Sequence, residues 1–284
     1  RFLFLRGLLP YPKRLKSLAW ILRVYQKSGI QTLITRSLIL KLLPGNIRKI
    51  ESLQPRLSDR FFVPSTKIFS AYGRATQRVI LLSGCVMPLT HAPTMYSAVN
   101  VLRHNGCDVL VPTGQTCCGA LNLHSGDINY ARSMARHNIN IFLRFDPDAI
   151  ITASAGCGST MKEYDELFRD DPDYKEKAEK FSTLTKDITE FLVDLPFSPP
   201  KGEIRKRVTY QDSCHMSHAQ RITEAPRKLL KAVPGLDLIE MENSTQCCGA
   251  AGIYSLTQSE MSGQILETKM DWIAATGADT VATA

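Results

Sequence analysis

Arg78-Val-Ile-Leu-Leu-Ser-Gly-Cys-Val-Met87 and Arg207-Val-Thr-Tyr-Gln-Asp-Ser-Cys-His-Met216 carry one pattern at two places, 129 residues apart. In each, an Arg-Val pair opens a strand-like run, and a cysteine follows the run within a few residues. The correspondence continues downstream. Cys117-Cys118-Gly119-Ala120 matches Cys247-Cys248-Gly249-Ala250 at an offset of 130. Asp148 and Thr152-Ala153 match Asp279 and Thr283-Ala284 at 131. Self-similarity at a fixed period signals an internal duplication. The counterpart of Cys157 then falls at about position 288 by the same repeat logic, past Ala284. The chain also opens on Arg1 rather than Met, so it reads as a fragment at both ends.

The runs between the cysteines alternate between two periods. Arg78–Ser83 reads as a buried strand, Pro93–Asn105 as a helix stopped by Gly106, and Asp108–Val111 as a second strand. Gly126–Phe145 has helical spacing, with Ile128, Ala131, Ala135, Ile139 and Phe142 on one face. Asp146-Pro147 ends it, and Ala149–Ala153 is a third strand. The second copy repeats the order with Arg207–Gln211, Ala225–Val233, Leu236–Met241, Leu256–Ala275 and Asp279–Ala284. Strands alternating with helices predict right-handed βαβ units and a parallel sheet. The expected fold is α/β: two tandem duplicated Rossmann-like βαβ cysteine-rich domains, residues 78–195 and 203–284, preceded by a basic, mainly helical arm over 1–77. Leu195-Pro-Phe-Ser-Pro-Pro-Lys-Gly202 is the Pro-rich linker between them. In the arm, Arg14–Ile34 reads as one amphipathic helix with Leu15, Leu18, Ile21, Leu22 and Tyr25 on one face, and Pro10, Pro12, Pro44, Pro55 and Pro64 interrupt the rest.

Composition agrees with a globular chain: of 284 residues, 44% are hydrophobic and 22% charged, which excludes disordered and collagenous classes. The net charge of +8 conceals an asymmetry. Residues 1–78 hold 16 basic and two acidic side chains, Glu51 and Asp59, for +14, so the remainder carries −6. The apolar stretch from Gln31 to Pro44 is broken by Arg36 and Lys41 and is too short to span a bilayer. No signal peptide is visible. The arm has no regular aromatic spacing for stacking bases, so nucleic acid is not an expected partner. A membrane surface or a docking partner suits it better, beside a merely solvated basic face.

Eight cysteines without an export signal point to reduced thiols. Adjacent cysteines make a strained disulfide but suit a metal site. Gly119 and Gly249 allow positive φ at that turn. Strand C-terminal ends are where open α/β sheets hold ligands. Cys85, Cys117, Cys118 and Cys157 are therefore candidate ligands of one soft metal or iron–sulfur site, and Cys214, Cys247 and Cys248 of an incomplete second. Structural zinc is the alternative, although close CxxC knuckles are absent. Cys107 has no cysteine counterpart and reads as a packed thiol at a strand start. His91, His215 and His218 lie near these cysteines, with His218 expected at the surface. Gly156-Cys157-Gly158-Ser159 reads either as a helix opening whose amides stabilise negative sulfur or as a mere tight turn. Asp170-Asp171 reads as a solvated charged loop. There is no Walker loop, GxGxxG, GxSxG or HExxH, and no self-contained catalytic constellation.

These units resemble the tandem cysteine-rich (CCG) domains of the heterodisulfide reductases and their relatives. Thr152-Ala-Ser-Ala-Gly-Cys-Gly158, Gln211-Asp-Ser-Cys-His-Met-Ser-His-Ala-Gln220, Cys247-Cys-Gly-Ala-Ala-Gly-Ile-Tyr254 and Asp271-Trp-Ile-Ala-Ala-Thr-Gly277 are most similar to the glycolate oxidase (glycolate dehydrogenase) iron–sulfur subunit. The resemblance covers residues 78–284. It implies an electron carrier between an FAD-bearing glycolate oxidase subunit and membrane quinone, cytoplasmic and peripheral at the inner face of the membrane, not catalytic alone. The family's ferredoxin-like CxxCxxCxxxCP runs are not in this sequence. Ser154 and Thr160 stand where heterodisulfide-type domains place a further cysteine beside the one matching Cys157, so a four-cysteine [4Fe-4S] cluster is the simpler expectation, with zinc at one site as the variant. A zinc-stabilised assembly scaffold and a thiol–disulfide (heterodisulfide-type) reductase are the alternative functions.

Overall fold

The structure, a computed structural model, describes residues 2–37, 51, 54–250, 252 and 254–283. Pro44, Ala251, Ile253 and Ala284, which belong to the motifs above, lie outside the described residues. The first large unit is built on five strands: β1 (Ser65–Phe69), β2 (Gln77–Leu81), β3 (Cys107–Val111), β4 (Ala149–Thr152) and β5 (Thr185–Asp187), in the order β1-β3-β2-β4-β5. β2, β3, β4 and β5 are mutually parallel, while β1 runs antiparallel along the outer edge of β3. The second unit is a parallel three-stranded sheet of β6 (Lys206–Gln211), β7 (Leu236–Ile239) and β8 (Thr280–Thr283), ordered β7-β6-β8. Its order is that of β3-β2-β4, and the registers agree as well. Val79 pairs with Ala149 as Val208 pairs with Thr280, and Gln77 with Cys107 as Lys206 with Leu236.

Strand periodicity explains why the first sheet is buried on both faces, as a parallel sheet requires. Ile80, Leu82, Leu110 and Ile150 point to one face, where Met134, Ala135, Ile139, Phe142, Tyr164 and Phe181 cover them. Val79, Leu81, Val109, Val111, Ala149 and Ile151 point to the other, against Met95, Val99, Leu102, Phe191 and Leu192.

The principal helices among the described residues are α1 (Phe2–Gly7), α2 (Pro12–Lys27), α3 (Ile30–Arg36), α4 (Ala92–His104), α5 (Ile128–Phe142), α6 (Ala155–Lys162), α7 (Lys175–Leu184), α8 (Ile188–Asp194), α9 (Glu224–Lys231) and α10 (Ser259–Ala275). Of the face expected on α5, Ala131, Ala135, Ile139 and Phe142 are buried and Ile128 is exposed. α5 gives way to a 3-10 turn at Leu143–Phe145 and stops at Asp146, whose φ of 43° is left-handed and which Pro147 follows.

The arm departs from its expected single helix. Gly29, at φ +83°, separates α2 from α3. The expected stripe is also not the packed one: Leu15 and Ala19 are buried, whereas Leu18 is 47% and Ile21 61% exposed. Leu5, Leu9, Leu15 and Ala19 cluster with Leu89 of the first unit. Arg6 forms a two-point ion pair with Asp127 at 2.8 and 2.7 Å, and Thr116 donates to the carbonyl of Pro10 at 2.7 Å. The arm is thereby one wall of the loop that carries Cys117.

Candidate metal centre

Each cysteine of the first set follows a strand end. Cys85 comes after β2, Cys117 and Cys118 after β3, and Cys157 lies in the first turn of α6 after β4. The chain leaves β2 for β3 on one side and returns to β4 on the other, so this rim is a topological switch point. The four thiols meet there. The Sγ atoms of Cys118 and Cys157 are 3.2 Å apart, and Cys85 and Cys117 lie within electrostatic reach of each other and of the other two.

The hydrogen bond to Cys117, then burial, pushes Cys85 well above the usual thiol range; bonds to Cys117 and Cys157, then burial, do the same for Cys118. Cys117 is held well below that range by Cys118 and Cys85, and Cys157 is lowered by Cys118 with help from the Ser154 hydroxyl. The helix opening forms, but the amides of Cys157 and Gly158 bond to the Ser154 carbonyl within the first turn of α6 and not to a sulfur, because the turn closes on itself.

Three residues not singled out from the sequence build this rim. Asn138 is fully buried on α5; its Oδ1 accepts from the amide of Thr116 at 3.0 Å and its Nδ2 donates to the carbonyl of Cys117 at 3.1 Å. Tyr164 donates to the carbonyl of Cys118 at 2.7 Å. Gln115 accepts from the amide of Ser83 at 2.7 Å, tying the β2 loop to the β3 loop. Asn138 was the legible one: a polar residue on an otherwise apolar helix face.

In the second set, Cys214 follows β6, and its pKa is raised by burial and then by Cys247 and Cys248 nearby. Cys214 opens into a π-helical turn, His215–Ala219, a rare geometry common at functional sites. The His215 Nδ1 is 3.9 Å from the Cys214 sulfur, and burial, with His124 nearby, lowers the His215 pKa. His218 is exposed, as expected, and so is His91. Gly119 and Gly249 have φ of +86° and +82°, the left-handed turn expected of both CCG sites. Cys107 begins β3 fully buried, opposite Gln77, at the position Leu236 occupies in the second sheet. Asp171 is no free solvated carboxylate: Arg136 pairs with it at 2.5 Å and it caps the amides of Asp173 and Tyr174.

The two rims abut. Gln220 donates to the Ala155 carbonyl at 3.0 Å, Met216 and Ile222 pack on Ala155, and the His124 and His215 rings are 5.8 Å apart. Soft sulfur donors converging from three loops suit a soft metal or an iron–sulfur cluster. The Cys118 and Cys157 sulfurs are in contact, and among the described residues no three His, Cys, Asp or Glu side chains are arranged around a position for one metal ion. No helix among the described residues is long and apolar enough to cross a membrane.

Comparison with known proteins adds to this geometry. A family model described as a cysteine-rich domain (CCG) matches residues 79–162 and 208–284, and one described as the linker region of the glycolate oxidase iron–sulfur subunit matches residues 1–53. The chain is 38% identical over 280 residues, 98% of its length, to a probable glycolate oxidase iron–sulfur subunit of Bacillus subtilis, and it spans 63% of that relative. It is 37% identical over 202 residues to lactate utilization protein A of Shouchella clausii, covering 71% of this chain and 84% of that one. An uncharacterized iron–sulfur protein of Methanococcus maripaludis is 35% identical over 228 residues, 80% of this chain and 42% of that protein.

Proposed function

Because the chain belongs to the glycolate oxidase iron–sulfur subunit family, with its tandem cysteine-rich domains, we propose that it is an electron carrier in the oxidation of a 2-hydroxy acid. In this reading Cys85, Cys117, Cys118 and Cys157 hold a [4Fe-4S] cluster, and Cys214, Cys247 and Cys248 supply three ligands of a second centre. The cluster supplies one-electron storage when bound. The chain's own residues do the rest: Asn138 and Tyr164 hold the Cys117-Cys118 turn in place, and the arm closes one side of the loop. Because the Cys118 and Cys157 sulfurs lie 3.2 Å apart, taking up a cluster entails their separation.

Electrons would enter from a flavin-bearing glycolate oxidase subunit and leave toward quinone at the inner face of the cell membrane. The relatives' names, glycolate oxidase iron–sulfur subunit and lactate utilization protein, support a 2-hydroxy acid as the partner's substrate. The single observation that carries the reading is the meeting of four thiols from three strand ends, with 3.2 Å between the Sγ atoms of Cys118 and Cys157. Anaerobic reconstitution with iron and sulfide, followed by EPR and by iron and acid-labile sulfide analysis, tests it. Stoichiometric iron with sulfide supports the carrier. Zinc without labile sulfide in protein purified anaerobically would identify a zinc-stabilised scaffold instead, and turnover of a disulfide substrate a thiol–disulfide reductase.

A further inference from the structure

A cavity of about 760 Å³ lies between the arm and the first sheet, beside the sulfur rim. Pockets that hold small molecules fall within roughly 300–1,000 Å³. The loops after β2 and β3, the wall of α5 and the start of α2 enclose it. Open α/β sheets hold ligands at this end of their strands. Of the four first-set cysteines only Cys85 lines it, so the cavity adjoins the rim and is not the space between the sulfurs.

Its lining changes character from inside to mouth. Phe62, Leu89 and Met134 are buried in it, with Phe61 and Tyr130 half-buried beside them, so the inner part is apolar and partly aromatic. A ring placed there gains by area buried and by edge and stacking contacts. One inner group is polar: Ser83 is 3% exposed, and its hydroxyl has no hydrogen-bond partner among the described residues. A buried hydroxyl left unpaired is costly, and a ligand oxygen that reaches it relieves that cost. The mouth is cationic. Lys13, Arg14 and Lys16 stand exposed at the start of α2, and no Asp or Glu is among the described residues that line the cavity. Arg14 lies over the Tyr11 ring at 4.2 Å and donates to the Gly7 carbonyl at 2.8 Å, and neither contact cancels its charge.

We propose that this cavity binds a planar aromatic anion. Its fused rings pack on Phe61, Phe62 and Tyr130, a hydroxyl or carbonyl oxygen at its inner end meets Ser83, and a carboxylate at its outer end meets Lys13, Arg14 and Lys16. An acyl chain would leave Ser83 unpaired, and a neutral ring would leave the cations without a counter-charge. The inference does not depend on iron or sulfide at the cysteines.

Fluorescence titration of the chain with 6-hydroxy-2-naphthoate, at constant ionic strength, tests it. The hydroxyl and carboxylate of this probe stand at opposite ends of the fused rings; 2-naphthoate lacks the first, 2-naphthol lacks the second, and decanoate replaces the rings by a chain. The probe is expected to bind tightest of the four. Lys13→Gln combined with Lys16→Gln should weaken the probe about tenfold and leave 2-naphthol unmoved. Ser83→Ala should weaken the probe about fivefold and leave 2-naphthoate unmoved. Should Ser83→Ala not fold, the order of the four compounds and the exposed lysine pair decide. No saturation by about 1 mM overturns the inference. So does 2-naphthol or decanoate binding as tightly as the probe, or an unchanged affinity in the lysine double variant. Iron content after reconstitution reads the cysteines separately. Selective binding in a chain that takes up no iron fails the iron–sulfur reading alone, and unselective binding in a chain that loads iron fails this inference alone.

Discussion

Cys118 and Cys157 stand 39 residues apart in the chain, and their Sγ atoms lie 3.2 Å from each other across the ends of neighbouring loops. That contact closes the row of sulfurs from Cys85 through Cys117. If the row is the cluster site, Cys118→Ser and Cys157→Ser each lower iron and labile sulfide after reconstitution. Cys107→Ser should leave both unchanged while lowering the melting temperature, since burying a hydroxyl in place of a packed thiol costs about 1–3 kcal/mol. Full iron retention in Cys118→Ser would sink the ligand assignment.

Asn138 tests how the Cys117-Cys118 turn is held. Truncation to Ala leaves the Thr116 amide and the Cys117 carbonyl without their partner inside the protein. An orphaned buried polar group costs about 1–3 kcal/mol, so Asn138→Ala should destabilise by about 2–4 kcal/mol in urea unfolding. A loss below about 1 kcal/mol would mean that water replaces the amide.

The two CCG turns should respond unequally to alanine. Both glycines are left-handed, so Gly119→Ala and Gly249→Ala each incur strain of about 1–2 kcal/mol. Only at 249 does the new Cβ fall 2.5 Å from a carbonyl oxygen, that of Ser262. Gly249→Ala should therefore lower the melting temperature more than Gly119→Ala. Equal shifts by calorimetry would remove the clash as the cause.

The seat of the arm should be acid-sensitive. The two bonds from Arg6 are the chief cause holding the Asp127 carboxyl below the usual carboxylate range. A group lowered in the folded state contributes above its unfolded pKa of about 3.9 and loses that contribution as pH falls through the folded value. Amide exchange in α1, taken relative to the unfolded-chain rate at the same pH, should thus be slow at neutral pH and quicken below about pH 4. In Asp127→Asn it should be fast throughout, with no acid step from this pair. An unchanged acid step in Asp127→Asn would assign it to another carboxylate.

α2 presents Leu18, Trp20, Ile21 and Val24 to solvent within the basic arm. Apolar side chains flanked by cations bind anionic interfaces. Co-sedimentation with vesicles containing anionic lipid should therefore fall as salt rises from about 0.05 to about 0.5 M, where the screening length shortens several-fold. Equal partitioning at both salts would leave no electrostatic docking.

Much of this was legible in the linear order. The twin Arg-Val strands, the repeated Cys-Cys-Gly turns and the paired Asp148 and Asp279 announced a duplicated α/β fold, because strand and helix periods and left-handed glycines are local properties. β1 is not legible in the sequence: it is a five-residue edge strand of mixed polarity whose identity comes from its pairing with β3, Ser65 opposite Val111, rather than from its own pattern. The arm's packed stripe escaped for the same reason, since Leu89 and Asp127 select which face of α2 and which side of α1 are used.

The sequence alone determined which cysteines belong together and that they recur, since spacing and repetition survive without coordinates. Only the tertiary structure decided that the Cys118 and Cys157 sulfurs lie in contact and that Asn138 and Tyr164 hold the turn. Those are properties of side chains brought together from distant segments, and burial gives a charge or an amide its energetic weight only after the chain has closed around it.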